Sequence, residues 1–323
     1  MLQMNEVIDR PARANPFASR LPPEVRGFAV LRTLEALRAR SVTASDGTPL
    51  AAYEAGERGR PSVLVLNALG VSVAFVAPLV ARLAADWHVI GWESRGLPVA
   101  FGEDQDLTLA RHARDAAEVL AALGDGRPRT AALVAYCAGS NIAAQALDAR
   151  LLAADRLVMV SPSIELPGVA DKTPYQSSVL PLWHRIATGA FAQAALVRVL
   201  LGQARRADDG TPDSQLAILN ALPFGDDASI LRYARLQHGC LREDWAARLA
   251  RLGLPSLVLH GARDEVVHAA GSRAAAEALG ARLEGIEDAG HFAVHTSRDL
   301  HERVAAFLKD AGTAGGKRDL DKE

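Results

Sequence analysis

Two cysteines in 323 residues exclude a disulfide framework, and neither Cys137 nor Cys240 stands at metal-ligand spacing from a partner. A reducing compartment follows. Aromatic residues make up only 5% of the chain, too few for the stacking platforms that bind single-stranded nucleic acid. The formal net charge is -2 and the basic residues are dispersed. No nucleic-acid partner and no acidic membrane surface are expected on that balance. No apolar run has the length of a membrane span. The opening MLQMNEVIDRPARANPF carries early acids and no apolar core, unlike a secretory signal. His88, His112, His184, His238 and His301 lack ligand spacing, so no metal is expected. What these absences leave is a cytoplasmic protein with a small-molecule partner.

Hydrophobic residues are plentiful, at 49%, enough for a large core in one domain with an insertion. Residues 1–25 contain Pro11, Pro16, Pro22 and Pro23 and read as irregular. Phe28, Leu31, Leu34 and Leu37 recur every third residue and predict a short amphipathic helix. Two strands then flank a turn at Asp46-Gly47, a hairpin signature. Short apolar runs follow at Ser62–Asn67, Trp87–Trp92, Ala131–Tyr136 and Leu157–Ser161. They alternate with helical stretches at 70–85, 107–123 and 141–152. Repeated β-α order predicts a parallel sheet with helices on both faces.

From residue 164 to about 250 no strand signal survives, and prolines punctuate helical segments. Strands resume at Pro255–His260 and Arg282–Ile286, and a helix closes the fold at Leu300–Lys309. The expected organisation is an N-terminal extension with a short helix (1–40), a core (41–163 and 252–310), a helical cap (164–251) and a flexible tail (311–323).

The most informative segment is LVAYCAGSNIAAQAL. A buried strand runs directly into a helix with Cys137 at the junction and small residues, Ala135 and Gly139, two positions either side. A sharp turn of this kind presents its side chain in the open and demands small neighbours where the backbone crosses itself. The free N–H groups and dipole of the new helix favour a thiolate there. Downstream, Asp264 lies in the loop after a strand, and His291 follows the last predicted strand. Nucleophile, acid and histidine therefore occur in a recognisable chain order.

These segments resemble the α/β-hydrolase fold superfamily. Ala135-Tyr136-Cys137-Ala138-Gly139 stands where that family commonly has G-x-S-x-G, with Cys in place of Ser and Ala in place of the first Gly. Glu93-Ser94-Arg95-Gly96 is similar to the family's D-x-R-G, which implies a tight turn at Gly96 and an arginine tied into the loop. The likeness covers roughly 40–163 and 252–310. It implies an α/β fold with a mostly parallel central sheet and a helical cap. It implies the catalytic set Cys137, Asp264 and His291. It also implies an oxyanion hole from the backbone N–H of Ala138 and, in the loop Asn67-Ala68-Leu69-Gly70, of Leu69.

His291 would take the thiol proton and later protonate the leaving group, while Asp264 would fix its tautomer. A cysteine favours thioesters and activated esters. Cysteine elbows of this fold resemble those of polyhydroxyalkanoate synthases, dienelactone hydrolases and some thioesterase-like enzymes. The expectation is covalent hydrolysis of a thioester or activated ester without a cofactor. The acyl donor could be a coenzyme A or carrier-protein thioester. Alternatives are an acyltransferase or cyclase that passes the acyl group to an amine or alcohol, and a non-catalytic binding protein on the same fold. In the cap, Trp183, Phe191, Tyr233 and Trp245 are candidates to line an acyl pocket, with plain core packing as the commoner fate of such residues. Cys240 reads as core, as does His260.

Overall fold

A computed structural model describes residues 7–9, 17, 21–95, 106–166, 168–203, 208–241 and 243–310. Gly96 and the tail from 311 onward, for which a tight turn and flexibility are expected, lie outside them. The strands in chain order are β1 (Val7–Asp9), β2 (Arg38–Thr43), β3 (Pro49–Ala55), β4 (Ser62–Leu66), β5 (His88–Trp92), β6 (Arg129–Thr130), β7 (Ala132–Tyr136), β8 (Ala153–Ala154), β9 (Leu157–Val160), β10 (Ser256–Gly261) and β11 (Arg282–Ile286). The α-helices are α1 (Ala77–Leu83), α2 (Leu109–Leu123), α3 (Gly139–Asp148), α4 (Pro174–Ala187), α5 (Ala194–Gln203), α6 (Pro212–Ala221), α7 (Asp227–Leu241), α8 (Trp245–Leu252), α9 (Ala269–Leu279), α10 (Ala293–Thr296) and α11 (Arg298–Lys309).

Among the described residues the main sheet has nine strands in the order β1-β2-β3-β5-β4-β7-β9-β10-β11. From β5 to β11 every neighbouring pair is parallel, and β1, β2 and β3 form the antiparallel edge. This is the α/β-hydrolase fold. The parallel strands are apolar throughout because both faces are covered. Successive side chains alternate between faces: Val63, Val65 and Val134 enter one apolar cluster, and Leu64, Leu66 and Leu133 enter the other. A third, smaller cluster lies within the helices between β9 and β10, built on Trp183, Ile186, Phe224 and Ile230.

Two N-terminal expectations change. Residues 7–9 pair antiparallel with β2, Val7 opposite Val42, where an irregular segment is expected. The helix around Leu31 is a 3-10 helix, Ala29–Ala36. Its three-residue apolar spacing is the 3-10 repeat itself, with side chains at i and i+3 eclipsed.

Parallel register brings the carboxyl ends of β4, β7, β9, β10 and β11 to one edge. Leu66 pairs with Ala135, Tyr136 with Val160, and Gly261 with Ile286. In an open α/β sheet, that edge is where ligands bind. Among the described residues no helix is long and apolar enough to cross a membrane.

Candidate active site

Cys137 occupies the first position after β7 at a φ of +51°. A non-glycine residue in this left-handed region carries strain that the surroundings must hold. They do so at both ends of the residue. Its N–H donates to the Val160 carbonyl at 2.9 Å, and its carbonyl accepts from Ser140 N at 3.1 Å and Ser163 N at 3.2 Å. The thiol is only partly buried. Two residues on, Gly139 begins α3. A Cβ there would be driven into the Leu66 and Asn67 carbonyl oxygens, so the close crossing that the sequence implies is real.

Asp264 follows β10. Its Oδ1 accepts from the N–H groups of Val266 and Val267, both at 2.9 Å. Its Oδ2 faces His291 Nδ1 at 2.8 Å. Burial would raise its pKa, but the His291 charge and hydrogen bond and the Val267 N–H outweigh burial and hold it below its ordinary value. Gly261, at the end of β10, has no room for a side chain against the Ala289 and Gly290 carbonyls. That approach brings the histidine loop down beside the acid.

His291 lies after β11 and is buried. Its ring sits 5.2 Å from that of Tyr136, and Tyr136 Oη donates to the His291 carbonyl at 3.1 Å. Burial alone would depress the imidazole pKa. The Asp264 charge, then the Cys137 charge and the Asp264 hydrogen bond, override burial and raise it to about 10. Nδ1 faces Asp264, which leaves Nε2 for the sulfur. The three residues singled out in the sequence thus converge on one edge of the sheet.

The loop after β4 is tightly organised. Asn67 donates through Nδ2 to the Val71 and Ser72 carbonyls at 2.9 and 2.8 Å and accepts from Ala68 N at 2.8 Å. Gly70 N donates to Ser94 Oγ at 3.3 Å, and Glu93 accepts from Val73 N at 3.2 Å. Among the described residues the N–H groups of Leu69 and Ala138 donate to nothing. The two donors that the family resemblance implies for an oxyanion hole are thus unengaged. The part played by the Asn67 side chain is not evident from sequence, because it acts only once the loop has closed around it.

Arg95 is fully buried. It bridges Asp115 on α2, at 2.6 and 2.7 Å, and Asp46 in the β2–β3 turn, at 2.7 Å. This agrees with the structural role implied for it.

The four aromatics considered as pocket lining separate. Trp245 is completely buried on α8 and donates to the Cys240 carbonyl at 2.8 Å, so it is core. Phe191 is 55% exposed. Trp183 packs inside the inserted helices against Phe224 and Tyr233. Tyr233 packs against Trp183 and Phe224 in that same cluster, and Tyr175, in the first turn of α4, lies half-buried against it. The T-P-Y-Q capping signal at 173–176 was the available clue to a helix starting there. Cys240 is buried, and burial, then Glu243, pushes its thiol up to about 12. His260 is held by Ser272 at 2.9 Å, His268 caps α9 by accepting from Ala270 N at 3.2 Å, and His295 contacts the Ala74 carbonyl. Among the described residues no group of three or more His, Cys, Asp or Glu could hold a metal ion.

Comparison with known proteins agrees with this architecture. The family described as alpha/beta hydrolase fold matches residues 61–297, and the chain belongs to that family. No curated protein matches the sequence. Among solved structures, a hydrolase from Pseudomonas aeruginosa PA01 is similar with a TM-score of 0.66 at 22% identity, covering 84% of this chain and 98% of its own. The esterase RhEst1 from Rhodococcus sp. ECU1013 has a TM-score of 0.64 at 20% identity, over 86% and 100%. The enol-lactonase from Burkholderia xenovorans LB400 has a TM-score of 0.63 at 20% identity, over 84% and 100%.

Proposed function

We propose that this protein is an acyl hydrolase working through a covalent thioester on Cys137, with a thioester or activated ester as substrate. The observation that carries the reading is His291, paired through Nδ1 with the Asp264 carboxylate at 2.8 Å and raised in pKa first by Asp264 and then by Cys137. The likeness to an esterase and an enol-lactonase agrees with attack at an ester-type carbonyl.

In the first half-reaction the Cys137 sulfur attacks the acyl carbon. The carbonyl electron pair moves onto oxygen, which the N–H groups of Ala138 and Leu69 receive. Collapse of the tetrahedral adduct expels the leaving group, and the His291 imidazolium donates the proton it needs. In the second half, neutral His291 accepts a proton from water as its oxygen attacks the acyl-cysteine. The carboxylic acid departs and the imidazolium–thiolate pair is restored. Asp264 stays charged throughout and stabilises the imidazolium. No step calls for a metal or cofactor.

A cleft of about 370 Å³ reaches His291 between the β11–α10 loop and α6, lined in part by Asp209, Asp213, Glu265 and Asp288. The helices from Pro174 to Leu241 serve as the cap over the acyl side, while α8 packs on the core. Coenzyme A and a carrier protein both remain suitable thioester donors.

The test is intact-protein mass spectrometry after mixing with a panel of acyl thioesters. An acyl adduct mapped to Cys137 that decays to free acid in water, and that Cys137→Ala does not form, is the expected result. Turnover undiminished in Cys137→Ala would overturn the proposal.

A further inference from the structure

The oxyanion donor proposed at Ala138 is one half of a peptide whose other half is the Cys137 carbonyl. A trans peptide points its N–H and its C=O in opposite directions. Whatever holds the Cys137 carbonyl therefore aims the Ala138 N–H. Two donors hold it, Ser140 N at 3.1 Å and Ser163 N at 3.2 Å. The Ser140 bond lies within the turn leading into α3 and moves with it. The Ser163 bond comes from beyond the end of β9 and fixes that turn to the sheet.

The segment that delivers Ser163 is itself constrained. Ser161 follows β9 at a φ of +43°, and its N–H donates to the Leu259 carbonyl of β10 at 2.8 Å. Two residues on, Ser163 is gripped by Asn141, in the first turn of α3. Asn141 is buried. Its Nδ2 donates to the Ser163 carbonyl at 2.8 Å and to the Ala138 carbonyl at 3.3 Å. One amide group thus ties the nucleophile turn to the same residue whose N–H holds the Cys137 carbonyl. Turned over, the amide would set its oxygen against two carbonyl oxygens, so the neighbours demand a donor here. The amide oxygen meets no donor among the described residues. A buried acceptor left so is costly, and an alanine or a leucine would carry no such cost. Packing alone does not account for an asparagine at this position; a need for its two N–H groups does.

We propose that Asn141 is a positioning residue for the oxyanion hole: by clamping Ser163 to the start of α3, it fixes the direction in which the Ala138 N–H points. The inference rests on the acyl-cysteine reading of the same site. A backbone N–H stabilises an oxyanion only when aimed at the place where the charge develops. A misplacement of about 1 Å costs on the order of a hundredfold in rate. Binding of the substrate forms no oxyanion, so the loss falls on kcat and not on KM.

The test compares two reactions of the same sulfur. Acylation by p-nitrophenyl acetate passes through an oxyanion, whereas alkylation by iodoacetamide displaces iodide and forms none. In Asn141→Ala the saturating rate of acylation should fall by at least about tenfold, with the half-saturating concentration and the rate of Cys137 alkylation each within about twofold of the parent. Amide hydrogen exchange at Ser163, followed by NMR, should quicken by at least about tenfold. Asn141→Leu, which keeps the branching of the side chain, should behave alike, and thermal melts verify that the variants fold. Unchanged acylation or unchanged Ser163 exchange overturns the inference. Equal losses of acylation and alkylation overturn it too, because the sulfur itself would then have moved. An unmutated protein that takes no acetyl group on Cys137 removes the acyl-cysteine reading, and the Ser163 exchange still decides whether Asn141 clamps the turn.

Discussion

Cys137 and Cys240 are the same side chain in opposite surroundings. One sits partly open on a strained turn beside an imidazole; the other is enclosed by apolar residues. Burial keeps the Cys240 thiol protonated to about pH 12, and the thiolate is the reactive form. Iodoacetamide at neutral pH should alkylate Cys137 at least about tenfold faster than Cys240, measured by peptide mapping. Equal rates would remove the special status of Cys137.

His291 gives the second residue-scale prediction. Its pKa is raised to about 10 against an ordinary 6.5. The stabilisation from its two pairings is fully present below about pH 6.5 and is lost as pH rises through about 10. Asp264 has the opposite sign: its contribution is present above the ordinary value of 3.8 and is lost as pH falls through its lowered folded value. An NMR titration of the His291 ring should therefore show protonation persisting at pH 8. Cys137→Ala should move the midpoint downward, because the sulfur is one of the groups raising it. An unchanged midpoint would mean that the sulfur is not the partner of the ring. Asp264→Asn should lower kcat/KM by about a hundredfold or more, the scale of a lost general acid–base contribution, with steady-state kinetics as the readout.

At the scale of elements, the junction of β7 with α3 depends on what the β4 loop leaves free. Gly139→Val would press branched carbons against the Leu66 and Asn67 carbonyls. The expected cost is about 1–3 kcal/mol, as for other overpacked sites. Activity should fall further than stability, since the same displacement moves the Leu69 and Ala138 donors. Urea titration paired with kinetics checks both. A variant as active and as stable as the parent would show that the crossing has slack.

The whole molecule is pinned by charges that no single element contains. Arg95 joins the β2–β3 turn to α2 through Asp46 and Asp115, and Arg111 adds bonds to Asp115 and Glu118. Arg95 and Asp115 are wholly buried. Arg95→Met would leave the Asp115 carboxylate short of its main partner, at a cost of about 3–5 kcal/mol, seen as a lower urea midpoint. Replacing Arg95 and Asp115 together should cost less than the single change, because a buried carboxylate left to Arg111 alone is worse than an absent pair.

Local patterns in the chain were enough to determine the class of fold. Apolar runs such as Ser62–Leu66 and Leu157–Val160 are short and uninterrupted because both sheet faces are covered, and that burial is written into composition. The elbow is legible for the same reason: Ala135, Cys137 and Gly139 are close in sequence, and the steric demand for small residues acts over two positions. The order of Cys137, Asp264 and His291 was readable too, since each follows a recognisable strand. Residues 7–9 escaped detection because so short a strand has no pattern until β2 offers it a partner. The inserted helices were the least legible part. Trp183, Tyr233 and Trp245 all occur on amphipathic helices, and sequence does not say which helical face meets the sulfur and which meets the core. Tertiary packing decided that: it buried Trp245 at the start of α8, stacked Trp183 against Phe224 and Tyr233, and brought His291 within 2.8 Å of Asp264. Local sterics act between neighbours in the chain, but the direction of a side chain across 50 or 150 residues is set only when the whole core closes.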